Sequence, residues 1–203
     1  MARQGKNKPT RKTVALVGDG QTERIYFGDV RDADRPANLS IFPDYPRRFG
    51  NYKGVLDRAV SLKGEGFNHV YALIDMDKII QENKIDEYKQ AKTKATAAGV
   101  TVLENNPCFE VWLLLHFVHT GRLFSNCNDV VAELRKHIPN YDKGEKFLTA
   151  ATLYRRYKEQ LVQVAVVNAR RLEDNKAGQD ILFPKAETYK FFEWYFKQQG
   201  INI

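Results

Sequence analysis

The stretch Val70-Tyr71-Ala72-Leu73-Ile74-Asp75-Met76-Asp77 is an apolar run that ends in two acids. A strand buried on both faces is apolar along its whole length, so this run predicts a central strand of a parallel sheet. Asp75 and Asp77 then stand at its carboxyl end, where open α/β sheets bind their ligands. Side chains two apart in a strand point the same way, with Cα atoms roughly 7 Å apart. The two carboxylates can therefore face one hard cation.

Strand and helix patterns alternate on both sides of this central strand. Strands are predicted at 13–17, 39–42 and 100–103, and helices at 24–30, 55–62 and 83–98. This alternation predicts an α/β fold, with a mainly parallel four-stranded sheet flanked by helices. From residue 126 onward the strand patterns stop, and the remaining helices are predicted at 128–137, 149–172 and 185–199.

The patterns divide the chain into a flexible basic arm at 1–12, an α/β core at 13–125 and a helical part at 126–203 packed on that core. A chain of 203 residues is long enough to bury a substantial core. The helix predicted at 185–199 carries aromatics on too much of its surface for one buried face. Most of these aromatics are expected in the core. The rest could contact a second copy of the chain, so a homo-oligomer is a further expectation.

The charge balance favours an anionic partner. The formal net charge is +7 and the pI is about 9.3, which is typical of nucleic-acid-binding proteins but also of basic proteins without such a role. Arg11 and Lys12 of the basic arm, and Arg47 and Arg48 of the aromatic-rich loop 43–53, are the candidate contacts to a nucleic acid. A solvated tail and an ordinary surface loop are the alternatives.

The cysteines and the apolar runs predict a cytoplasmic protein. Cys108 and Cys127 are the only cysteines, and no CxxC pair indicates a zinc site or a redox disulfide. We therefore expect a reducing cytoplasm. The start of the chain lacks the apolar region of a signal peptide, and the run 111–118 is too short to span a bilayer, so we expect neither secretion nor membrane insertion.

The first predicted strand runs directly into the turn Gly18-Asp19-Gly20-Gln21-Thr22-Glu23. Its glycines allow a sharp strand-to-helix bend. The turn is similar to a dinucleotide fingerprint, but Glu23 takes the third glycine position and would repel pyrophosphate, so a nucleotide cofactor is disfavoured. In structural terms Asp19 could be an N-cap and Glu23 an acid favoured by the helix dipole.

A second group of polar residues belongs to an apolar helix. Asn106 as N-cap and Pro107 at the first helical position predict a helix start. Glu110 is the one acid in this helix, and once buried it must meet a cation, a metal or a donor network. A salt bridge to a lysine is an equally good interpretation. His116 and His119 lack a third metal ligand, so His116 is expected to be a core or rim histidine.

The chain carries four motifs, at 18–23, 75–77, 106–117 and Tyr141-x-Lys143. Taken together they resemble the RloB family, whose members are small proteins encoded beside bacterial restriction systems and assigned to anti-phage defence. The resemblance covers most of the chain in the right order, and the helix that contains Asn-Pro-Cys-Phe-Glu is its most specific part. The first two motifs are also similar to those of Toprim domains, the metal-binding fold of topoisomerases, primases and OLD-type nucleases.

The Toprim resemblance implies roles for four acids. Asp19 stands where Toprim domains carry a general acid or base, but the usual residue is glutamate, so this side chain is one methylene shorter. Glu23 matches the second acid of that motif. Asp75 and Asp77 match the acidic pair that holds Mg²⁺.

The RloB resemblance adds two further positions. Glu110 and Lys143 recur in that family, which implies metal support for Glu110 and phosphate contact for Lys143. Asn106 and His116 belong to the same family segment and are expected to support the site.

The resemblance implies a nuclease that depends on Mg²⁺ or Mn²⁺, cuts DNA or RNA during anti-phage defence and is controlled by a partner ATPase. The alternative is a non-catalytic sensor or adaptor that binds nucleic acid or the ATPase. The shortened Asp19 favours this alternative.

Overall fold

The computed structural model describes residues 11–46, 51–175 and 181–201, and it contains one five-stranded sheet. The strands are β1 (Lys12–Val17), β2 (Leu39–Asp44), β3 (His69–Asp75), β4 (Thr101–Asn106) and β5 (Lys185–Ala186). Their order across the sheet is β2-β1-β3-β4-β5. The first four strands are parallel, and β5 pairs antiparallel with β4. The predicted α/β class and the parallel sheet are thus confirmed.

The helices follow the strands in the predicted alternation. In the first half they are α1 (Gln21–Asp34), α2 (Tyr52–Gly64), α3 (Asp77–Gln81), α4 (Ile85–Ala97) and α5 (Glu110–Leu114). The second half contains α6 (Cys127–Leu134), α7 (Glu145–Ala151), α8 (Leu153–Gln160), a π-helical stretch (Leu161–Ala165), α9 (Val166–Asp174) and α10 (Thr188–Gln198).

Two hydrophobic cores form because successive strand side chains point to opposite faces of the sheet. On β1, Val14 and Leu16 face the larger core with α1, α5 and most later helices, whereas Ala15 and Val17 face a smaller core with α2 and α4. The apolar run of β3 is divided in the same way. Burial on both faces explains why that run lacks polar alternation.

The C-terminal helices pack on the larger core. The aromatic residues of α10 contribute the most to this packing, since Phe191, Phe192, Tyr195 and Phe196 are at most 2% exposed. Trp194 is partly buried against His69 and Tyr71. Most of the aromatic surface of α10, which had suggested a contact with a second copy of the chain, is therefore buried within the chain itself.

Two sequence predictions about the second half of the chain are wrong. The sheet has five strands instead of four, because β5 lies beyond residue 126, where no strand was expected. Its two residues are too few to show a period in the sequence. The helix predicted at 149–172 is divided: Thr152 adopts a left-handed conformation between α7 and α8, and a π-helical stretch precedes α9.

The predicted helix start at Asn106 is also wrong. Asn106 is the last residue of β4 and pairs with Lys185 of β5, a cis peptide bond joins it to Pro107, and α5 begins only at Glu110. The residue before a proline avoids the helical region, which favours the extended Asn106 over an N-cap role.

The strand order places β1 and β3 side by side at the point where the chain direction across the sheet reverses. From β1 the chain crosses to β2 on one side, and from β3 it crosses to β4 on the other. Connections that diverge in this way leave a crevice beyond the carboxyl ends of the two central strands, which is the usual ligand site of such sheets. In the described ranges, no helix is long and apolar enough to cross a membrane.

Candidate functional site

The turn after β1 holds Asp19 and Glu23 against each other. The Asp19 backbone N–H donates to Glu23 Oε1 over 3.2 Å, and the Asn51 backbone N–H donates to Asp19 Oδ1 over 3.0 Å. A Cβ atom on Gly18 would lie 2.5 Å from Glu23 Cβ, so this close approach requires glycine. The N-cap of α1 is Gly20, not Asp19. The turn therefore positions two carboxylates and does not use Asp19 as a helix cap.

The second pair of acids follows β3. Asp75 ends the strand, and its Oδ1 accepts the Phe109 N–H over 2.8 Å. Asp77 begins α3, and its Oδ1 accepts the Lys78 N–H over 2.7 Å. The Pro107 carbonyl accepts the Met76 and Asp77 N–H groups, each over 2.9 Å. The segment that connects β4 to α5 thus holds the end of β3 in place.

Glu110 is fully buried and paired. Its Oε1 accepts hydrogen bonds from the Tyr141 hydroxyl and the Lys143 ammonium, both over 3.0 Å. Its Oε2 lies 3.1 Å from Cys127 Sγ. The salt-bridge interpretation of Glu110 therefore agrees with the structure, and its partner is the other residue that the family resemblance singled out. Metal support by Glu110 stays a prediction.

The acids of both strands line one cavity of about 440 Å³. Asp19, Glu23, Asp75 and Asp77 contribute to its wall together with Lys78, Cys127 and Lys143. A neighbouring cavity of about 280 Å³ shares Asp19, Asp75, Asp77 and Lys78, and it adds Asn51, Lys53 and Lys84. The acids thus lie between two cavities, one of which has several lysines on its wall.

Burial and mutual repulsion dominate the electrostatics of the site. Burial raises the pKa of Glu23 to about 7, and the negative charge of Glu110 adds to this rise. Burial also raises the pKa of Asp75 well above its usual range, with Glu23 and Glu110 as further causes. For Lys143, burial opposes the charged form, but the surrounding carboxylates outweigh it and raise the pKa of the ammonium. The cavity therefore holds excess negative charge that a cation would stabilise.

The spacing of these acids limits how they could hold a metal. Across residues 11–46, 51–175 and 181–201, no three of the four carboxylates bring oxygens within 4.8 Å of one another. The group that meets this distance is Cys108, Glu110 and Cys127, but its two sulfurs are bonded to each other and offer no thiolate. Mg²⁺ keeps several waters when bound, so few direct carboxylate ligands are needed. The donor set fits a partly hydrated hard cation.

The disulfide between Cys108 and Cys127 corrects the expectation drawn from the cysteine spacing. The two cysteines are nineteen positions apart in the chain, and the segment after β4 and the start of α6 bring them together. Only the tertiary fold creates this proximity, so a rule based on local CxxC pairs could not detect it.

The other predicted site residues lie away from the acids. Asn106 Nδ2 donates to the Ile181 and Phe183 carbonyls, and Asn106 lines a different cavity. His116 is buried, its Nδ1 lies 2.9 Å from the Trp112 carbonyl, and burial lowers its pKa to about 4. His116 is thus a neutral core residue, as the sequence indicated.

The predicted nucleic-acid contacts are not brought to the acids either. Arg11 and Lys12 stand at the amino end of β1, opposite to the acids, where they bond to the Ala37 carbonyl and the Gln198 side chain. Arg47 and Arg48, and most of the arm 1–12, lie outside the described residues. Sequence reasoning assigned no site role to several residues of the two cavity walls: Asn51, Lys53, Lys78, Lys84 and Cys127. Of these, Lys78 adjoins Asp77, and Asn51 and Lys53 belong to the loop 43–53 that the sequence had indicated for nucleic-acid contact.

The fold and the site define an α/β protein with an acidic crevice at the carboxyl ends of two adjacent parallel strands. Residues 14–191 match the family described as RloB-like protein, and the chain belongs to that family. No curated protein and no solved structure matches the chain.

Proposed function

We propose that this protein is a Mg²⁺- or Mn²⁺-dependent nuclease with a Toprim-like fold that cleaves phosphodiester bonds in DNA or RNA. The observation that carries the proposal is the position of four acids, Asp19, Glu23, Asp75 and Asp77, on one cavity wall beyond β1 and β3. The order of the four parallel strands supports it as well, since it places the crevice at these acids.

The metal would be held by Asp75 and Asp77 together with Glu23 or Asp19. When bound, it would neutralise charge on the transferring phosphate and lower the pKa of an attacking water. Burial and mutual repulsion raise the pKa of both Glu23 and Asp75, which supports this role because carboxylates in that situation gain the most from a divalent cation.

Glu23 would transfer a proton, and Lys143 would contact the charged phosphate. A general acid or base works best with a pKa near the working pH, and Glu23, with its pKa of about 7, meets that condition. Lys143 stays cationic at neutral pH, and its side chain is about half exposed at the cavity wall. Glu110 accepts a hydrogen bond from the Lys143 ammonium and so positions it for contact with a phosphate oxygen.

The nucleic-acid backbone would run along the second cavity. Lys53, Lys78 and Lys84 line it beside the acids, and cations of this kind contact phosphates regardless of base sequence. Lys53 and Lys84 form exposed ion pairs with Glu87 and Glu82. Such exposed pairs contribute little stability, so exchanging them for phosphates costs little.

The biological setting is part of the same proposal. RloB-like family membership supports a role in bacterial anti-phage defence in the cytoplasm, under the control of a partner ATPase. The alternative function is a non-catalytic adaptor that binds nucleic acid or the ATPase. The short Asp19 side chain favours this alternative, and so does the fact that no three of the four described carboxylates bring oxygens within 4.8 Å of one another.

A cleavage assay with Mg²⁺ and with Mn²⁺ on plasmid DNA, single-stranded DNA and transfer RNA tests the proposal. We expect the wild type to cut at least one substrate and Asp75→Asn combined with Asp77→Asn to lose roughly a hundredfold or more in rate, in line with the loss of charge stabilisation at a reacting phosphate. Asp86→Asn is the matched control, because Asp86 is an acid whose side chain is 94% exposed on α4.

Equal cleavage by the double variant and the wild type would contradict the nuclease proposal. If neither protein cleaves while the wild type retards nucleic acid in a gel, the adaptor is the correct function.

A further inference from the structure

The bonded pair Cys108–Cys127 lies beside the acidic cavity, and its two sulfurs differ in accessibility. Cys127 is partly exposed and lines the cavity wall, whereas Cys108 is 1% exposed. A thiol reagent that enters the cavity therefore reaches Cys127 first. Access to one sulfur decides where thiol–disulfide exchange begins.

The surroundings of Cys127 favour thiol chemistry. Lys143 Nζ lies 3.5 Å from Cys127 Sγ, and Cys127 is the first residue of α6. A nearby ammonium and a helix amino terminus both stabilise a thiolate, whereas Glu110, with Oε2 at 3.1 Å, opposes it. The Lys143 ammonium also contacts Glu110 Oε1, so the same cation balances the carboxylate and an adjacent thiolate.

The state of the bond changes the hydrogen bonding of Glu110. Among the described residues, the polar neighbour of Oε2 is Cys127 Sγ, while Tyr141 and Lys143 both donate to Oε1. A disulfide sulfur carries no hydrogen and cannot donate. A Cys127 thiol can donate to Oε2, which gives the buried carboxylate a further hydrogen bond.

We infer that Cys127 is a site of reversible thiol–disulfide exchange that acts on the Glu110–Lys143 pair at the wall of the candidate site. The thiolate of an external dithiol attacks Cys127 Sγ, the Cys108–Cys127 bond breaks, and the Cys108 sulfur leaves and takes up a proton. The second thiol of the reagent then attacks the mixed disulfide. The products are two protein thiols and one oxidised dithiol, so two electrons and two protons pass to the protein.

Such exchange has a structural consequence at the site. The bond ties the residue that follows Pro107, in the segment that holds the end of β3, to the first residue of α6. Its reduction removes the covalent link between α6 and that segment, while the packing of α6 on the larger core stays. The inference uses the contacts of the candidate site but not the proposed reaction, so it can be tested without measuring nuclease activity.

Native-state reduction is the first test. The oxidised protein is incubated with dithiothreitol, or with glutathione to trap the mixed disulfide, and the modified cysteine is identified by alkylation and mass spectrometry. We expect both thiols to appear while the protein stays folded, at a rate proportional to reagent concentration, with glutathione on Cys127. Reduction only upon unfolding, or glutathione on Cys108, would overturn the inference.

Single variants separate exchange from simple accessibility. Cys108→Ser leaves Cys127 as a thiol, and Cys127→Ser leaves Cys108. We expect iodoacetamide to alkylate Cys127 in the first variant about tenfold faster or more than Cys108 in the second, because accessibility and thiolate character both favour Cys127. Equal rates would contradict the inference.

Lys143 provides a readout that a purely structural role would not affect. In the Cys108→Ser background, Lys143→Gln is expected to slow alkylation of Cys127 near neutral pH about tenfold, because the nearby cation is lost, and Lys143→Arg is expected to restore most of the rate. If Lys143→Gln and Lys143→Arg alkylate at the same rate, Lys143 does not control the thiol.

Discussion

Two buried glutamates, Glu23 beyond β1 and Glu104 in β4, show opposite electrostatics at similar burial. Glu23 is 4% exposed and Glu104 is 7% exposed. Burial alone would raise the pKa of Glu104, but Lys185 and Lys92, each at 2.6 Å, outweigh it and lower that pKa to about 2. For Glu23, burial and neighbouring carboxylates raise the pKa to about 7.

The two glutamates differ in whether the fold supplies enough positive charge around them. Glu104 has its own cations and the Tyr88 hydroxyl, at 2.8 Å, so the fold itself satisfies its charge. Glu23 shares Lys143 with Asp75 and Glu110, so the Lys143 ammonium faces three carboxylates at once. Under the proposed function, this incompletely balanced charge is what an external cation would stabilise.

The largest loss of stability is expected at Glu104. Glu104→Gln removes the anion of a buried network and leaves Lys92 and Lys185 without it. Because the side chains of both lysines are about one-third exposed, water compensates in part, and we expect a loss of about 2–3 kcal/mol in the free energy of unfolding. Urea denaturation at pH 7 measures it. A change near zero would show that the network contributes nothing to stability.

Glu23→Gln is expected to increase the free energy of unfolding, in contrast to Glu104→Gln. The folded pKa of about 7 exceeds the ordinary 4.5, so the folded state binds this proton more tightly than the unfolded state. The protonated Glu23 carboxyl therefore makes its full contribution to stability below pH 4.5, and this contribution is lost as the pH rises through 7. The metal-free variant should be about 3 kcal/mol more stable than wild type at pH 8 and about equal to it at pH 4.

Denaturation with urea at both pH values, in the presence of a chelator, measures this difference. Gln keeps the oxygen that accepts the Asp19 N–H, so the local turn is preserved. A variant that is less stable than wild type at pH 8 would mean that the Glu23 carboxylate is already balanced within the fold.

The sequence was most informative where a property is local. The apolar run 70–74 predicts a buried strand, and the acids that follow it must stand at its carboxyl end, so Asp75 and Asp77 were positioned correctly. Asp19 and Glu23 follow in the same way from the strand-to-helix turn.

Properties that depend on distant segments could not be predicted. Glu110 had to meet a partner, but only the packing of the loop after α6 shows that the partner is Lys143. The two halves of the Cys108–Cys127 bond are distant in sequence for the same reason. At Asn106 a local signal was misleading, since an Asn-Pro pair suits a helix start but here ends a strand that β5 stabilises from far along the chain.

The most direct test of the account is a calorimetric titration with Mn²⁺. Wild type is expected to bind the ion, Asp75→Asn combined with Asp77→Asn to bind at least about tenfold more weakly, and Glu104→Gln to bind as wild type does. That pattern would assign the external cation to the acids beyond β1 and β3 and not to the balanced glutamate of β4. Equal binding by wild type and the double variant, or no binding by wild type, would contradict the account.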